Sequence, residues 1–309
     1  MTDRAQYIQL CQEVALPLHA QAWWWEQSSV GKTWDALVLE EDDHVLAAMP
    51  YHLTRKGPIQ AMLMPMHTQY HHAYIAPSKS EDVYPRLAQG LDTLCRERHI
   101  AWCQMQGFYP APLLEALRAQ GFAVSERTTY RMDTIPTRED LPKLFSENKR
   151  RQLRKAQGLR LVELMPDTFY AFHQDCMTRQ GKTIDYPLSW AQAVLSEALR
   201  RQSGQLLGAQ NAEGQVVAAM FLAWDKEWAY YLLPTYDPAY KDTGAMTWLT
   251  FEALCLAREK GLGFDFEGSM TPSIASSYKQ FGGQAVTYHR IEKIYNPLLR
   301  IALWLRQRI

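Results

Sequence analysis

Apolar residues recur along this chain with two periods. Alternation and short β-branched runs mark strands, whereas three- and four-residue spacing marks helices. In the C-terminal half the pattern predicts strand 159–165, helices 167–180 and 189–201, and strands 205–210, 216–224 and 227–233. Helix 243–260, strand 263–266, helix 272–281 and strand 284–292 follow. Met246, Leu249, Leu254 and Ala257 make an apolar stripe on helix 243–260, and such a stripe must bury against a sheet. In the N-terminal half, Val83, Leu87, Leu91, Leu94 and Cys95 make the same stripe on a helix over 81–98, before strand 100–105.

The two halves share an order. Val45-Leu46-Ala47-Ala48-Met49 follows the polar turn Glu41-Asp42-Asp43, and Val216-Val217-Ala218-Ala219-Met220 follows Asn211-Ala212-Glu213-Gly214. Both read as hairpins. Each half then closes on a strand, a helix ended by glycine (Gly121; Gly282-Gly283) and a last strand, through Tyr130 and Ile291 respectively. A duplication explains matching order at both ends of each half. Residues 60–76, with Pro65, His67, His71 and His72, break the pattern and predict a strand interrupted by a loop over a cleft. The histidine spacing has no helical frame and gives no zinc signal. The boundary falls near Ile135-Pro136-Thr137.

Composition narrows the class. A hydrophobic content of 47% supplies ample core, which disfavours disorder. The formal net charge is +0, so global attraction to nucleic acid is not implied and DNA is not an expected partner. Cys11, Cys95, Cys103, Cys176 and Cys255 are scattered without ligand spacing, as expected of free thiols in a reducing, cytoplasmic setting. No apolar run is long enough to span a bilayer. The segment 298–309, LLRIALWLRQRI, carries Arg300, Arg306 and Arg308 on an apolar helix. It suits docking on the protein itself or peripheral membrane contact.

Three segments can carry chemistry. A strand ending at Leu232-Leu233 runs into a polar loop and then Asp242-Thr243-Gly244-Ala245 at a helix start. Small residues there let an anion approach backbone amides, although the same run serves equally as an ordinary cap. Phe264-Asp265-Phe266-Glu267-Gly268-Ser269 places Asp265 and Glu267 on one face of a strand end. The carboxylates can accept an amine proton and Ser269 can donate to an oxyanion, or all three are end-of-turn polarity. Tyr278 on the next helix is a donor or packing. The basic helix 146–157 brings Ser146, Arg150 and Arg154 to one face, for an anionic ligand or for solvent. No GxSxG, GxGxxG or GxxxxGK[ST] occurs, which weighs against hydrolase, dinucleotide and P-loop readings.

Residues 146–161, 205–254 and 264–291 together resemble the GNAT N-acyltransferase superfamily in its Fem-type, double-GNAT branch. The resemblance implies an α/β fold of tandem GNAT-like domains, each a curved mixed sheet flanked by helices. It divides the chain into a divergent domain at 1–134, an acyltransferase domain at 135–295 and an apolar helix at 296–309. It implies attack of an amine, on a small molecule or a peptide, on an activated acyl group. Acyl-CoA would be the cosubstrate, with no tightly bound cofactor. Thr243, Gly244, Ala245, Arg150 and Arg154 would receive the carrier, and backbone near Leu232 and Leu233 would hold the oxyanion. Glu267 or Asp265 would take the proton, with Ser269 and Tyr278 beside them. The run Tyr240-Lys241-Asp242-Thr243-Gly244-Ala245 lacks the leading Gln or Arg of acetyl-CoA-binding relatives. Two alternatives therefore stand beside acyl-CoA. One is aminoacyl transfer from tRNA to a peptidoglycan precursor; the other is a silent GNAT-like scaffold.

Overall fold

The computed structural model describes residues 3–30, 33–77, 82–268 and 270–306. The chain forms two compact units, Met1–Arg127 with Thr287–Ile309, and Thr128–Val286.

The first unit opens with helices α1 (Asp3–Glu13) and α2 (Ala22–Ser28). Strands β1 (Thr33–Glu41) and β2 (His44–Lys56) follow as an antiparallel hairpin. Its turn residues Asp42 and Asp43 both have positive φ, the backbone that a tight hairpin of this hand requires. Strands β3 (Ile59–Met62) and β4 (Tyr74–Ile75) both pair with β2. The interrupted strand expected over 60–76 is thus two short strands with irregular chain between them. Helix α3 (Val83–Glu97), strand β5 (Trp102–Gly107) and helix α4 (Ala111–Ala119) come next, and β6 (Ala123–Met132) leads out of the unit. Val83, Leu87, Leu91 and Cys95 are buried along α3, as their spacing predicts, and Leu94 is partly buried.

The second unit adds α5 (Leu141–Leu144), α6 (Glu147–Lys155), β7 (Arg160–Glu163), α7 (Pro166–Arg179) and α8 (Leu188–Arg200). Strands β8 (Gly204–Gln210), β9 (Val216–Trp224) and β10 (Trp228–Tyr236) make a meander, then come α9 (Ala245–Glu259), β11 (Gly263–Asp265) and α10 (Pro272–Lys279). Its strands run in the order β6, β11, β10, β9, β8, β7. Pairing is antiparallel except between β10 and β11, as a helical crossover requires. Leu249, Ala253, Leu254 and Ala257 of α9 are fully buried in one core with Phe264 and Phe266. Each such large apolar side chain contributes roughly 1.5–3 kcal/mol by leaving water. On α10, Ile274 is 41% exposed, while Phe281, just past the helix, is buried.

Strand β12 (Gln284–Ile294) and helix α11 (Pro297–Arg306) complete the chain. Most of β12 belongs to the first unit, where it pairs antiparallel with β5. The division of the sequence at 134/135 differs from this partition, because residues 287–295 return to the first unit. A strand's apolar alternation does not reveal which neighbour it will pair with. Among the described residues no helix is long and apolar enough to cross a membrane.

Candidate functional site

The site grows from a strand that loses its partner. β10 pairs with β11 only over Trp228–Tyr230 and Gly263–Asp265. Beyond Tyr230, β10 continues to Tyr236 without a β11 partner in that register. On its other edge the β9 register breaks between Leu232 and Thr235. Leu233 at the break has φ 50°, a left-handed conformation that costs a non-glycine residue about 1 kcal/mol or more. A bulge of this kind re-aims backbone groups away from the ladder.

Beside the parted strand lies a cleft of about 220 Å³. Its walls include Lys149 and Gln152 of α6, Tyr231 of β10, Gly244 and Thr247 at the start of α9, and Tyr278 of α10. Tyr231 and Tyr278 meet edge to face at 6.0 Å, and Tyr278 stacks on Phe266 at 5.1 Å. The Tyr231 hydroxyl is 3.3 Å from Thr250 Oγ1. Burial pushes the Tyr231 phenol up to about 12. Burial, with Tyr231, Glu267 and Asp265 nearby, pushes the Tyr278 phenol higher still. Both therefore stay protonated donors at neutral pH.

Helix α6 sits over the first turn of α9. Ser146 caps α6, its hydroxyl accepting from Lys149 N at 3.3 Å, and its own backbone N donates to Gln280 O at 2.8 Å. Thr247 Oγ1 donates to Gln152 Oε1 at 2.6 Å. Gly244 has φ +80°, and a Cβ on it would fall on the Gln152 carbonyl. Glycine is needed at 244 on both counts. Ala245 N donates to Thr243 Oγ1 at 3.3 Å.

Behind the cleft, Asp265 is fully buried and fully engaged. It accepts from Thr129 Oγ1 at 2.7 Å, Arg131 Nε at 2.7 Å and Glu267 N at 2.8 Å. Arg131 in turn lies 4.3 Å over the Trp228 ring. Glu267 has φ 61° and a buried Oε1. Burial first, then the neighbouring Asp265, raises its carboxyl well above the usual range, against the pull of Arg131. Gly268 follows with φ +51°, 2.5 Å from Thr128 O if it bore a Cβ.

Residues 143–280 match the family model for the acetyltransferase (GNAT) domain, a span that lies inside the second unit. Among solved structures, FemX matches with TM-score 0.73 at 13% identity, over 96% of this chain and 98% of that one. A tandem GNAT protein from the clavulanic acid biosynthesis pathway matches with TM-score 0.57 at 12% identity, over 93% and 92%. The C-terminal domain of a putative lysylphosphatidylglycerol synthetase from Agrobacterium fabrum matches with TM-score 0.59 at 11% identity, over 98% and 95%. The chain has a Fem-like, tandem GNAT fold. No curated protein matches it by sequence.

Within the second unit the expected site residues fall into three groups. Gly244 and Tyr278 line the cleft; Thr243 and Ala245 flank Gly244 in sequence. Leu232 and Leu233 mark the bulge and are buried. Asp265 and Glu267 are not among the cleft's lining residues. Ser269 lies outside the described residues. Arg150 and Arg154 turn to Glu147, at 2.9 and 3.0 Å, on the exposed side of α6. The cation that α6 presents to the cleft is instead Lys149, which sequence reasoning passed over. Its signal was present: Lys149 precedes Gln152 by three residues, so one helical face carries both.

Proposed function

We propose that this protein transfers an acyl group from an activated carrier to an amine. The observation that carries the reading is the parting of β10 from β11 at Tyr230, with the Leu232–Thr235 bulge alongside. A parted strand admits a linear acyl chain, and re-aimed amides near Leu233 suit the oxyanion that forms when an amine attacks a carbonyl. The new C–N bond would form as the carrier's C–S or C–O bond breaks. Tyr278, protonated at neutral pH, would donate to the departing atom, and the proton shed by the attacking nitrogen would return to the Tyr278 phenolate directly or through water. Glu267, set back from the cleft, would take no direct part.

Acyl-CoA is the first donor to test. Gln152 standing over Gly244 narrows the approach to the α9 start, and this favours an aminoacyl ester of tRNA as the second. Thermal unfolding and amine-dependent turnover should be followed with acetyl-CoA and, separately, with aminoacyl-tRNA. A donor that raises the midpoint and is consumed only when an amine is present would support the reading. Inertness toward both donors would leave a GNAT-like scaffold.

Peripheral membrane contact through α11 belongs to the same reading. Leu298 and Ile301 are 75% and 56% exposed on a segment whose only charges are arginines. Sedimentation with anionic against neutral vesicles tests it: equal recovery in the supernatant would exclude the contact.

A further inference from the structure

Lys149 is an unusual occupant of a cleft wall. Its ammonium donates to Ser277 Oγ at 3.0 Å and lies 4.3 Å from the Phe281 ring centroid. Among the described residues no carboxylate pairs with it. The neighbouring arginines on α6 take Glu147 for themselves. A half-buried ammonium with one hydroxyl and one ring face is under-solvated, and burial lowers it to about 8. The other titratable groups on the cleft are Lys241 and the phenols of Tyr231, Tyr236, Tyr240 and Tyr278. No lining residue is acidic. The cleft thus holds positive potential with nothing of its own to balance it, and desolvation makes a matching negative group worth more there than at the surface.

We infer that Lys149, with Ser277 beside it, is the receptor for an oxyanion on the ligand, a phosphate or a carboxylate. The inference rests on the cleft being the ligand site of the acyl-transfer reading, but it is tested by binding and not by turnover. The two sources differ in where the charge sits. A phosphate would belong to the carrier; a carboxylate would belong to the acyl chain or to the acceptor. A phosphate takes up more of the cleft and would be shared with Lys241 at its edge.

The test is thermal unfolding of the wild type, Lys149→Met and Lys149→Arg. Each is measured with sodium pyrophosphate or sodium glutarate against sodium chloride at equal ionic strength, at pH 7 and pH 9.5. The wild type should gain several degrees from one of the anions at pH 7, and the preferred anion names the source. Lys149→Met should show none of that gain. By pH 9.5 the free lysine has lost much of its charge, so the wild type should keep less of the gain than it shows at pH 7. Lys149→Arg, which stays charged, should keep the gain at both pH values. If Lys149→Met does not fold, the comparison of wild type with Lys149→Arg across pH still decides. Equal gains in wild type and Lys149→Met, no gain from either anion, or a wild-type gain as insensitive to pH as that of Lys149→Arg would each overturn the site. Acyl transfer without an anion response would leave the Proposed function standing and remove only this assignment.

Discussion

The Gln152 carbonyl stands over the Cα of Gly244, where no side chain can fit. That single approach fixes how far α6 can sit from the first turn of α9, and so the depth of the cleft between them. Gly244→Ala would meet both the left-handed backbone and the carbonyl. The substitution should cost about 2–4 kcal/mol in urea unfolding, the size of a strained backbone plus a backbone clash. A change under 0.5 kcal/mol would show that α6 moves away freely.

Asp265 is 0% exposed, and its Arg131 partner is 15% exposed. Breaking a buried pair leaves one charge without compensation. Asp265→Asn should therefore destabilise by roughly 3 kcal/mol. Adding Arg131→Met should recover part of the loss, because the orphaned guanidinium goes too. Additive losses in the double variant would mean that the pair does not interact in solution.

Glu267 predicts a pH slope of definite sign. Its folded-state carboxyl holds its proton above the range of the unfolded chain, so the folded form binds more protons once pH passes about 4.5. Stability from this group is whole below that value and is lost as pH rises toward its elevated folded pKa. Glu267→Gln cannot ionise and should lose less stability between pH 5 and 8 than the wild type does. Parallel urea midpoints across that range would place the Glu267 carboxyl in water.

Much of the architecture was legible because it rests on local periodicity. In the α9 stripe Leu249, Leu254 and Ala257 are fully buried and Met246, at the cleft, only partly so, and the β1–β2 and β8–β9 hairpins fall at the two matched segments. The site was legible in part. Gly244 stood out because small residues at a helix start are informative by themselves. Lys149 did not, because a run of six cations in twelve residues looks uniform until Glu147 claims Arg150 and Arg154. The partners of Asp265 were not legible, because Arg131 and Thr129, which donate to its carboxylate, lie more than a hundred positions away in sequence. Nor does strand pattern disclose that β10 and β11 separate after three residue pairs, since pairing is a property of two strands at once.

The placement of β12 has a consequence for how the protein is made. The N-terminal unit needs residues 287–294 to cover the free edge of β5, and a ribosome delivers them only after the whole second unit has emerged. Until then that edge is a bare template for stray strands. Truncation before residue 287 would accordingly be felt at the opposite end of the sequence, as an aggregation-prone N-terminal fragment.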